Sequence, residues 1–226
     1  MPRTFAIGDI HGCLSLLKTL LAHIQPTQDD TLIFLGDMVD RGEDSKGVLD
    51  CVMMLEKQCH VIVIKGNHEE MMLGSMSDTE TAKFWLRYGG AEAMQSFGLQ
   101  PSLEQIKHIP FKYKCWLESL RNYYETVDFI FCHATPKADI SMDTQGDEGL
   151  RWRKLRKADG RHISGKTIIC GHSEQRNGQV KQQEGIICID TFAYGCGVLT
   201  ALEVETLTAW QAQSDGRCLK TLLNLF

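Results

Sequence analysis

The first 75 residues repeat one unit three times, a short apolar run that ends in a glycine followed by polar residues. The runs contain TFAI, TLIF and HVIV, and the clusters after them read GDIHG (8–12), GDMVDRG (36–42) and GNHEE (66–70). Two stretches with helical spacing of apolar residues, CLSLLKTLLAHI and SKGVLDCVMMLEK, separate the runs. Near-continuous apolar strands that alternate with helices predict a β-α-β-α-β arrangement around a sheet covered on both faces.

The pattern changes further along the chain. Residues 71–121 read as short helices broken at Gly89-Gly90, Pro101 and Pro110, which predicts a helical, cap-like region. The later runs DFIFC, TIIC, GIICID and VLTALEVETLTAWQA have no long helix between them and predict a second, mostly antiparallel sheet. A chain of 226 residues fits one α/β domain over 1–226.

Charge and composition argue against several classes of protein. A net charge of -5 and a pI near 5.9 give no electrostatic reason to expect a nucleic-acid partner. The N-terminal residues MPRTFAIGDIHG contain neither a signal-peptide core nor a membrane span, so we expect a cytoplasmic protein with no membrane partner. The nine cysteines are odd in number and lack a CxxC pair, and we interpret them as buried free thiols. The oligomeric state is not indicated.

Candidate metal ligands follow the predicted strands, at the points where the apolar runs end. They are Asp9, His11, Asp37 and Asn67 in the first three clusters, and His133 and His172 at the ends of DFIFCH and TIICGH. Loops at the carboxyl edge of an open α/β sheet gather side chains from several strands at one place. If strand geometry continues through GDIHG, Asp9 and His11 point to one face and can bind the same ion. The mixture of carboxylate, imidazole and amide favours Mn²⁺, Fe or Zn²⁺ over Ca²⁺.

Each cluster alone also has an ordinary explanation. An aspartate after a glycine is common turn chemistry, and an isolated GNHE could be a helix N-terminus. Three such clusters in this order, each after an apolar run, are not expected by chance. The other histidines lie in helical or loop contexts and are interpreted as surface or hydrogen-bonded side chains: His23, His60, His108 and His162.

Together, GDIHG, GDMVDRG and GNHE with the later HA and GH resemble the motifs of the phosphoprotein phosphatase (PPP) family of metallophosphoesterases, over about residues 4–200. The chain is most similar to the compact bacterial and bacteriophage serine/threonine protein phosphatases. The resemblance implies an α/β fold in which a β-sandwich of two mixed sheets is flanked by helices, in αββα layers. It also implies two divalent metal ions, Mn²⁺ first, with Fe or Zn²⁺ as alternatives. One ion would be held by Asp9, His11 and Asp37, and the other by Asp37, Asn67, His133 and His172, with Asp37 bridging.

The same resemblance implies roles for neighbouring residues. Asp40 and His68 would form a catalytic pair in which His68 is the general acid, while Arg41 and Asn67 would bind the substrate phosphate. Two adjacent cations lower the pKa of a shared water, which supplies a metal-bridging hydroxide for in-line displacement. Two plainer interpretations remain open: His68 could be only a structural partner of Asp40, and Arg41 could form a surface ion pair with Glu43 or Asp44.

A second phosphate-binding arginine is expected after the HA strand, close to a tryptophan. The segment LRWRKLR (150–156) offers Arg151, Arg153 and Arg156. We favour Arg153, because Trp152 is the natural anchor beside it. The alternative is that this segment is a solvated basic surface without a role in binding.

The chain departs from the family pattern in three places, of which GHSE (171–174) in place of the commoner GHT is interpreted as neutral. HATP stands where many members have HAG, and IDTFAYGCG stands where many have an IDTG-like turn. Neither change removes a ligand. Thr135, Phe192 and Tyr194 are therefore expected to reshape the substrate cleft, by narrowing it or by adding aromatic contacts.

Three functions follow as hypotheses. The leading one is a metal-dependent phosphomonoesterase that acts on phosphoserine, phosphothreonine or phosphotyrosine in proteins and also on small phosphoesters. The second is a symmetrical bis(5'-nucleosyl)-tetraphosphatase, whose first three motifs look similar but whose chains are longer. The third is a metal-binding scaffold without activity, which the presence of every expected ligand disfavours.

Overall fold

A computed structural model describes residues 1–224 of the chain. The strands in this range are β1 Thr4–Ile7, β2 Thr31–Phe34, β3 His60–Val63, β4 Tyr123–Glu125, β5 Phe129–Cys132, β6 Thr167–Cys170, β7 Lys181–Gln183, β8 Ile186–Cys188, β9 Val198–Glu203, β10 Thr208–Gln213 and β11 Cys218–Leu222. They form a six-stranded sheet in the order β11-β10-β9-β1-β2-β3 and a five-stranded sheet in the order β4-β5-β6-β8-β7. The prediction of a β-sandwich with two mixed sheets is confirmed.

Helices cover the six-stranded sheet. Within residues 1–224 the α-helices are α1 Leu14–Ile24, α2 Ser45–Leu55, α3 Asn67–Ser75, α4 Thr79–Trp85, α5 Ala91–Ser96, α6 Leu103–Ile106, α7 Phe111–Glu118 and α8 Ala193–Cys196. Short 3-10 or π-helical segments lie at Leu86–Gly90, Met142–Thr144 and Glu148–Trp152. None of the helices in this range has both the length and the apolar composition needed to cross a membrane. Helices α3 to α7 lie between Asn67 and Glu118, and the cap-like region at 71–121, the single domain over 1–226 and the cytoplasmic location stay predictions.

The three N-terminal strands pair in parallel, as their sequence indicates. Ala6 on β1 lies opposite Ile33 on β2, which lies opposite Ile62 on β3. Since parallel neighbours in register end at the same edge, the three polar clusters emerge side by side. This arrangement is what brings the N-terminal candidate ligands together.

The prediction for the second sheet is wrong in two respects. Strands β5, β6 and β8 pair in parallel, and only the edge strands β4 and β7 are antiparallel. Strands β9 and β10 belong instead to the first sheet, where β9 pairs antiparallel with β1. The alternation of apolar residues marks a strand without specifying its partner, which explains the error. The parallel centre has a consequence, because it brings His133 and His172 to one edge.

Side chains alternate between two buried layers. Ala6 and Ile33 from the first sheet face Phe131 and Ile169 from the second sheet, and these residues form the centre of the sandwich. Their neighbours along the first sheet, such as Phe34, pack against the helices. Burial of one large apolar side chain contributes about 1.5–3 kcal/mol to the free energy of folding. The buried sandwich therefore stabilises the sheets that carry the loops at its edge.

The nine cysteines, all within the described range, are free thiols. Four of them are buried: Cys13, Cys132, Cys170 and Cys188. Cys115 and Cys196 are exposed, so the prediction of buried thiols holds for part of the set only.

Candidate active site

Loops from both sheets meet at one edge of the sandwich. They carry the six predicted ligands, all of them buried, which we call the ligand cluster: Asp9, His11, Asp37, Asn67, His133 and His172. Two groups of donor atoms, each group within 4.8 Å, share one carboxylate: His11 with Asp37 and His68, and Asp37 with His133 and His172. Asp37 therefore lies where a ligand that bridges two ions would have to be.

The backbone around the cluster adopts an unusual conformation. His11, Asp37 and His172 have φ angles of 47°, 50° and 60°, in the left-handed region that residues other than glycine rarely adopt. Asp40 and Arg41 follow with φ angles of 75° and 69°. Such conformations cost on the order of 1–3 kcal/mol each and tend to occur at functional sites. The backbone is therefore strained at the residues whose side chains form the site.

Asp9 is placed by a turn and not by strand geometry. Strand β1 ends at Ile7, so the condition under which strand geometry would point Asp9 and His11 to one face is not met. The two carboxylate oxygens of Asp9 accept the backbone N–H of His172 at 3.2 and 3.0 Å, which ties the loops of the two sheets together. Gly171 must be glycine here, because a Cβ at this position would collide with the Asp9 carboxylate.

Backbone carbonyls orient three histidines of the cluster. The pairs are His11 Nδ1 with the Val39 carbonyl at 3.0 Å, His133 Nδ1 with Leu35 at 2.9 Å, and His172 Nε2 with Trp152 at 2.9 Å. Because a carbonyl only accepts, each of these nitrogens carries a proton, and in a neutral ring the other nitrogen has the lone pair that can bind a metal. Burial holds the pKa of His11 well below its usual value and lowers that of His172 to about 3. Neutral imidazoles held in this way are typical metal ligands.

Acceptor atoms converge around His133. Its Nε2 lies 3.3 Å from Asp37 Oδ1 and 3.0 Å from Asn67 Oδ1. When the His133 ring is neutral, with its proton on Nδ1, the lone pairs of these three atoms face one another with no proton between them. Such an arrangement is repulsive unless a cation lies among them, so the residues present fit a metal ion at this position.

Carboxylates add to the requirement for positive charge. Burial, followed by repulsion from Asp190 and Asp37, holds the pKa of Asp9 well above its usual value. Burial also raises the pKa of Asp190, which is 3% exposed, to about 6. Within residues 1–224 no lysine or arginine pairs with Asp37, and the neighbours of its carboxylate that can carry positive charge are three histidines. Divalent cations would supply the positive charge that these buried carboxylates need. Asp190 is a member of the site that the sequence did not predict.

His68 and Asp40 form the predicted pair. His68 Nδ1 lies 2.7 Å from an Asp40 oxygen, and its Nε2 faces Asp37 at 4.0 Å. Burial lowers the pKa of His68, but the carboxylates of Asp37 and Asp40 outweigh it and hold that pKa above the usual value. The indole N–H of Trp85, a fully buried residue, donates to both Asp40 oxygens at 2.9 Å. Sequence reasoning missed Trp85, which carries no local signal of this contact.

Glu69 organises the two loops that carry Asp37 and Asn67. Its buried carboxylate accepts four backbone N–H groups, from Gly66 at 2.9 Å, Asp37 at 2.8 Å, Met38 at 2.7 Å and Val39 at 3.3 Å. The sequence contains one signal of this role, a glutamate at the third position of helix α3, where it can cap the helix N-terminus. Glu69 was not among the predicted site residues.

Arg41 lies above the ligand cluster, with two residues of the IDTFAYGCG turn. We call Arg41, Phe192 and Tyr194 the mouth. Arg41 Nη1 is 3.1 Å from His11 Nε2, and its Cζ is 4.6 Å from the centroid of the Tyr194 ring. No carboxylate among the described residues forms an ion pair with Arg41, so the alternative of a surface ion pair is not what the structure shows. Thr135 is fully buried and does not line the mouth, contrary to expectation.

The predicted second arginine is engaged elsewhere. Arg153 pairs with the Asp159 carboxylate and donates to the Thr135 carbonyl at 3.2 Å. This pairing occupies the guanidinium that was expected to bind phosphate, and that role of Arg153 stays a prediction.

Other basic residues of the segment differ in their surroundings. Arg151 is buried and donates to Asn122 at 2.9 Å and to Glu70 at 3.2 Å, so the segment is not a uniformly solvated surface. Lys154, which was not considered as a candidate, donates through Nζ to the backbone carbonyl of His172. Lys154 is therefore a basic side chain of this segment that reaches the ligand cluster.

Comparisons with known proteins agree with this geometry. A model of the calcineurin-like phosphoesterase family matches residues 2–176. Serine/threonine-protein phosphatase 1 of Salmonella typhimurium is 37% identical over 87 residues, which are 38% of this chain and 38% of that phosphatase. The match thus spans less than half of the length of that relative.

Two further proteins resemble the whole chain. The symmetrical bis(5'-nucleosyl)-tetraphosphatase of Xanthomonas campestris is 28% identical, over 94% of this chain and 83% of that enzyme. The crystal structure of a cold-active protein-tyrosine phosphatase from a psychrophilic Shewanella species has a TM-score of 0.68 at 18% identity, over 97% of this chain and 80% of that one. At this identity the structural likeness shows the fold alone. The family match and the shared fold confirm the resemblance that the motifs indicated: the chain belongs to the calcineurin-like phosphoesterase family, a family of metal-dependent phosphoric ester hydrolases.

Proposed function

We propose that this chain is a two-metal phosphomonoesterase that dephosphorylates phosphoserine, phosphothreonine and phosphotyrosine in proteins. One observation carries the proposal: the His68–Asp40 pair faces Asp37, the carboxylate shared by both groups of donor atoms. A proton donor beside a metal-binding carboxylate is what phosphoester hydrolysis requires, because the departing alkoxide must be protonated.

Every residue of the ligand cluster would bind one or both metal ions. One ion would be held by Asp9, His11 and Asp37, and the other by Asp37, Asn67, His133 and His172. When bound, the two ions would activate the attacking water and neutralise charge on the phosphoryl oxygens. Mn²⁺ suits this mixture of oxygen and nitrogen donors, and Fe and Zn²⁺ suit it as well.

The remaining residues handle the phosphate and the proton. Arg41 and Asn67 would bind phosphate oxygens, while the oxygen of water bonds to phosphorus as the bond to the leaving oxygen breaks. His68 would deliver a proton from Nε2 to the leaving oxygen, and the Asp40 carboxylate holds the proton on Nδ1 in place. Lys154 is better placed than Arg153 to be the second basic side chain that binds phosphate, because Arg153 would first have to leave its partner Asp159.

A second candidate is symmetrical cleavage of dinucleoside tetraphosphates. The observation in its favour is the alignment with the Xanthomonas enzyme, which spans 94% of the chain, against 38% for the Salmonella phosphatase. The same ligand cluster would serve this reaction, so the metal centre does not distinguish the two substrates.

Removal of the metal tests the reaction class. The purified protein is treated with a chelator, assayed with an aryl phosphate, and assayed again after Mn²⁺, Fe²⁺ or Zn²⁺ is added. We expect activity to disappear and to return with at least one of these ions. Hydrolysis that persists after chelation, or that none of these ions restores, would contradict the proposal.

A substrate comparison tests the choice between candidates. The same preparation is assayed with a phosphoserine peptide, a phosphotyrosine peptide and diadenosine tetraphosphate. We expect the larger kcat/KM for the peptides. A larger kcat/KM for the dinucleotide would replace the first candidate by the second and leave the metal chemistry unchanged.

A further inference from the structure

Arg41 has an aromatic partner where a carboxylate would be usual. Its guanidinium carbon lies 4.6 Å from the centroid of the Tyr194 ring, and no ion pair with an acidic side chain is found among the described residues. A carboxylate would occupy the N–H groups of Arg41, which are the donors that a phosphate needs. An aromatic ring instead attracts the cation through its π face and leaves most of these donors available.

Tyr194 is itself held on the ligand cluster. Its ring makes an edge contact with His11, with 4.9 Å between ring centroids, and another with Phe192 at 4.7 Å. The backbone N–H of Phe192 donates to the buried carboxylate of Asp190 at 3.1 Å. This hydrogen bond holds the start of the turn that carries Tyr194. Within the described residues, no hydrogen bond involves the Tyr194 hydroxyl, which leaves the ring as the part in contact with Arg41.

The turn requires a special sequence. Phe192 has a φ angle of 61°, in the left-handed region that is unfavourable for an aromatic residue. Gly195 lies against the Phe192 ring, where a Cβ would collide with the ring atoms. The turn that carries Tyr194 therefore depends on a strained residue and on a glycine.

We infer that Tyr194 is a positioning residue that holds the Arg41 guanidinium over the ligand cluster, ready to bind the substrate phosphate. The inference rests on the proposed function, in which Arg41 binds that phosphate. Tyr194 contacts both Arg41 and the proposed ligand His11, so the metal content of each variant separates an effect through Arg41 from an effect through the metal site.

The test is a double-mutant cycle with Tyr194→Leu, Tyr194→Phe and Arg41→Ala, each variant loaded with the metal that activates the wild type. Tyr194→Leu is expected to raise KM for an aryl phosphate, and the inhibition constant of inorganic phosphate, by about 2- to 30-fold, with a smaller change in kcat. Tyr194→Phe keeps the ring and should resemble the wild type. In the Arg41→Ala background, Tyr194→Leu should have no further effect.

Four results would overturn the inference. If Tyr194→Leu binds phosphate as the wild type does while Arg41→Ala does not, Arg41 binds phosphate without help from Tyr194. If the effect of Tyr194→Leu persists in the Arg41→Ala background, or Tyr194→Phe is as impaired as Tyr194→Leu, the ring does not act through Arg41. If Arg41→Ala itself leaves phosphate binding unchanged, the phosphate role in the proposed function fails too. Metal content and melting temperature are measured for every variant, and Tyr194→Phe provides the comparison if Tyr194→Leu is unstable.

Discussion

The ligand cluster and the mouth lie in contact but are built differently. Each residue of the cluster is at most 8% exposed, and backbone groups fix several of the side chains. The mouth residues Arg41, Phe192 and Tyr194 are partly exposed and are held mainly by contacts between aromatic rings and a cation. Metal ions need several donors at fixed positions, whereas a substrate that enters and leaves needs side chains that solvent can reach. Substitutions in the two regions should therefore differ in kind as well as in size.

Removal of the shared carboxylate should have the largest effect. Asp37→Ala takes a donor from both proposed ions, and we expect loss of bound metal and a fall in kcat/KM well beyond the 10–100-fold typical of residues that only support a ligand. Elemental analysis and an aryl phosphate assay measure both effects. Arg41→Ala is the matched change in the mouth and should keep its metal. Two ions still bound to Asp37→Ala would break the distinction between the regions.

The general acid should have the next largest effect. His68→Asn is expected to keep bound metal and to lower kcat by about 10²–10⁴, because the leaving oxygen then departs without its proton donor. The exposed His108 provides a control, since His108→Asn should change neither quantity. A variant that loses metal but turns over normally per bound ion would make His68 a ligand and not an acid.

The support of the loops should have a smaller effect. Glu69→Gln weakens four hydrogen bonds from backbone N–H groups, because the amide has one acceptor oxygen and turns N–H groups toward donors. We expect metal affinity to fall about 10- to 100-fold and the free energy of unfolding to fall by about 2 kcal/mol or more. Calorimetric metal titration and thermal unfolding measure these changes. Glu80→Gln, on an exposed side chain, is the control, and equal behaviour of the two variants would refute the role of Glu69.

The two regions also differ in how far the sequence predicts them. Asp9, His11, Asp37 and His68 lie within short motifs that follow parallel strands, and such strands end at a common edge, so their neighbourhood can be predicted. The contact between Trp85 and Asp40 joins residues 45 positions apart and depends on the packing of α4, which no local pattern describes. In β9 and β10, likewise, the alternation of apolar and polar residues does not indicate which sheet these strands join.

The segment around Trp152 shows the limit most clearly. Residues 148–152 form an irregular helical turn, and neither helical nor strand periodicity then tells which side chain points inward. The position of Trp152 in the sequence favours Arg153, but in the structure Arg153 pairs with Asp159 and Lys154 reaches the ligand cluster. A shift of one position in such a segment exchanges a structural ion pair for a candidate phosphate contact.

The central claim is that two metal ions share Asp37. Crystals of the protein soaked in Mn²⁺ test it directly, because anomalous scattering at the manganese edge locates each ion. We expect two peaks, both within ligand distance of the Asp37 carboxylate, one on the side of His11 and one on the side of His133. A single peak, or two peaks of which one does not contact Asp37, would contradict the account.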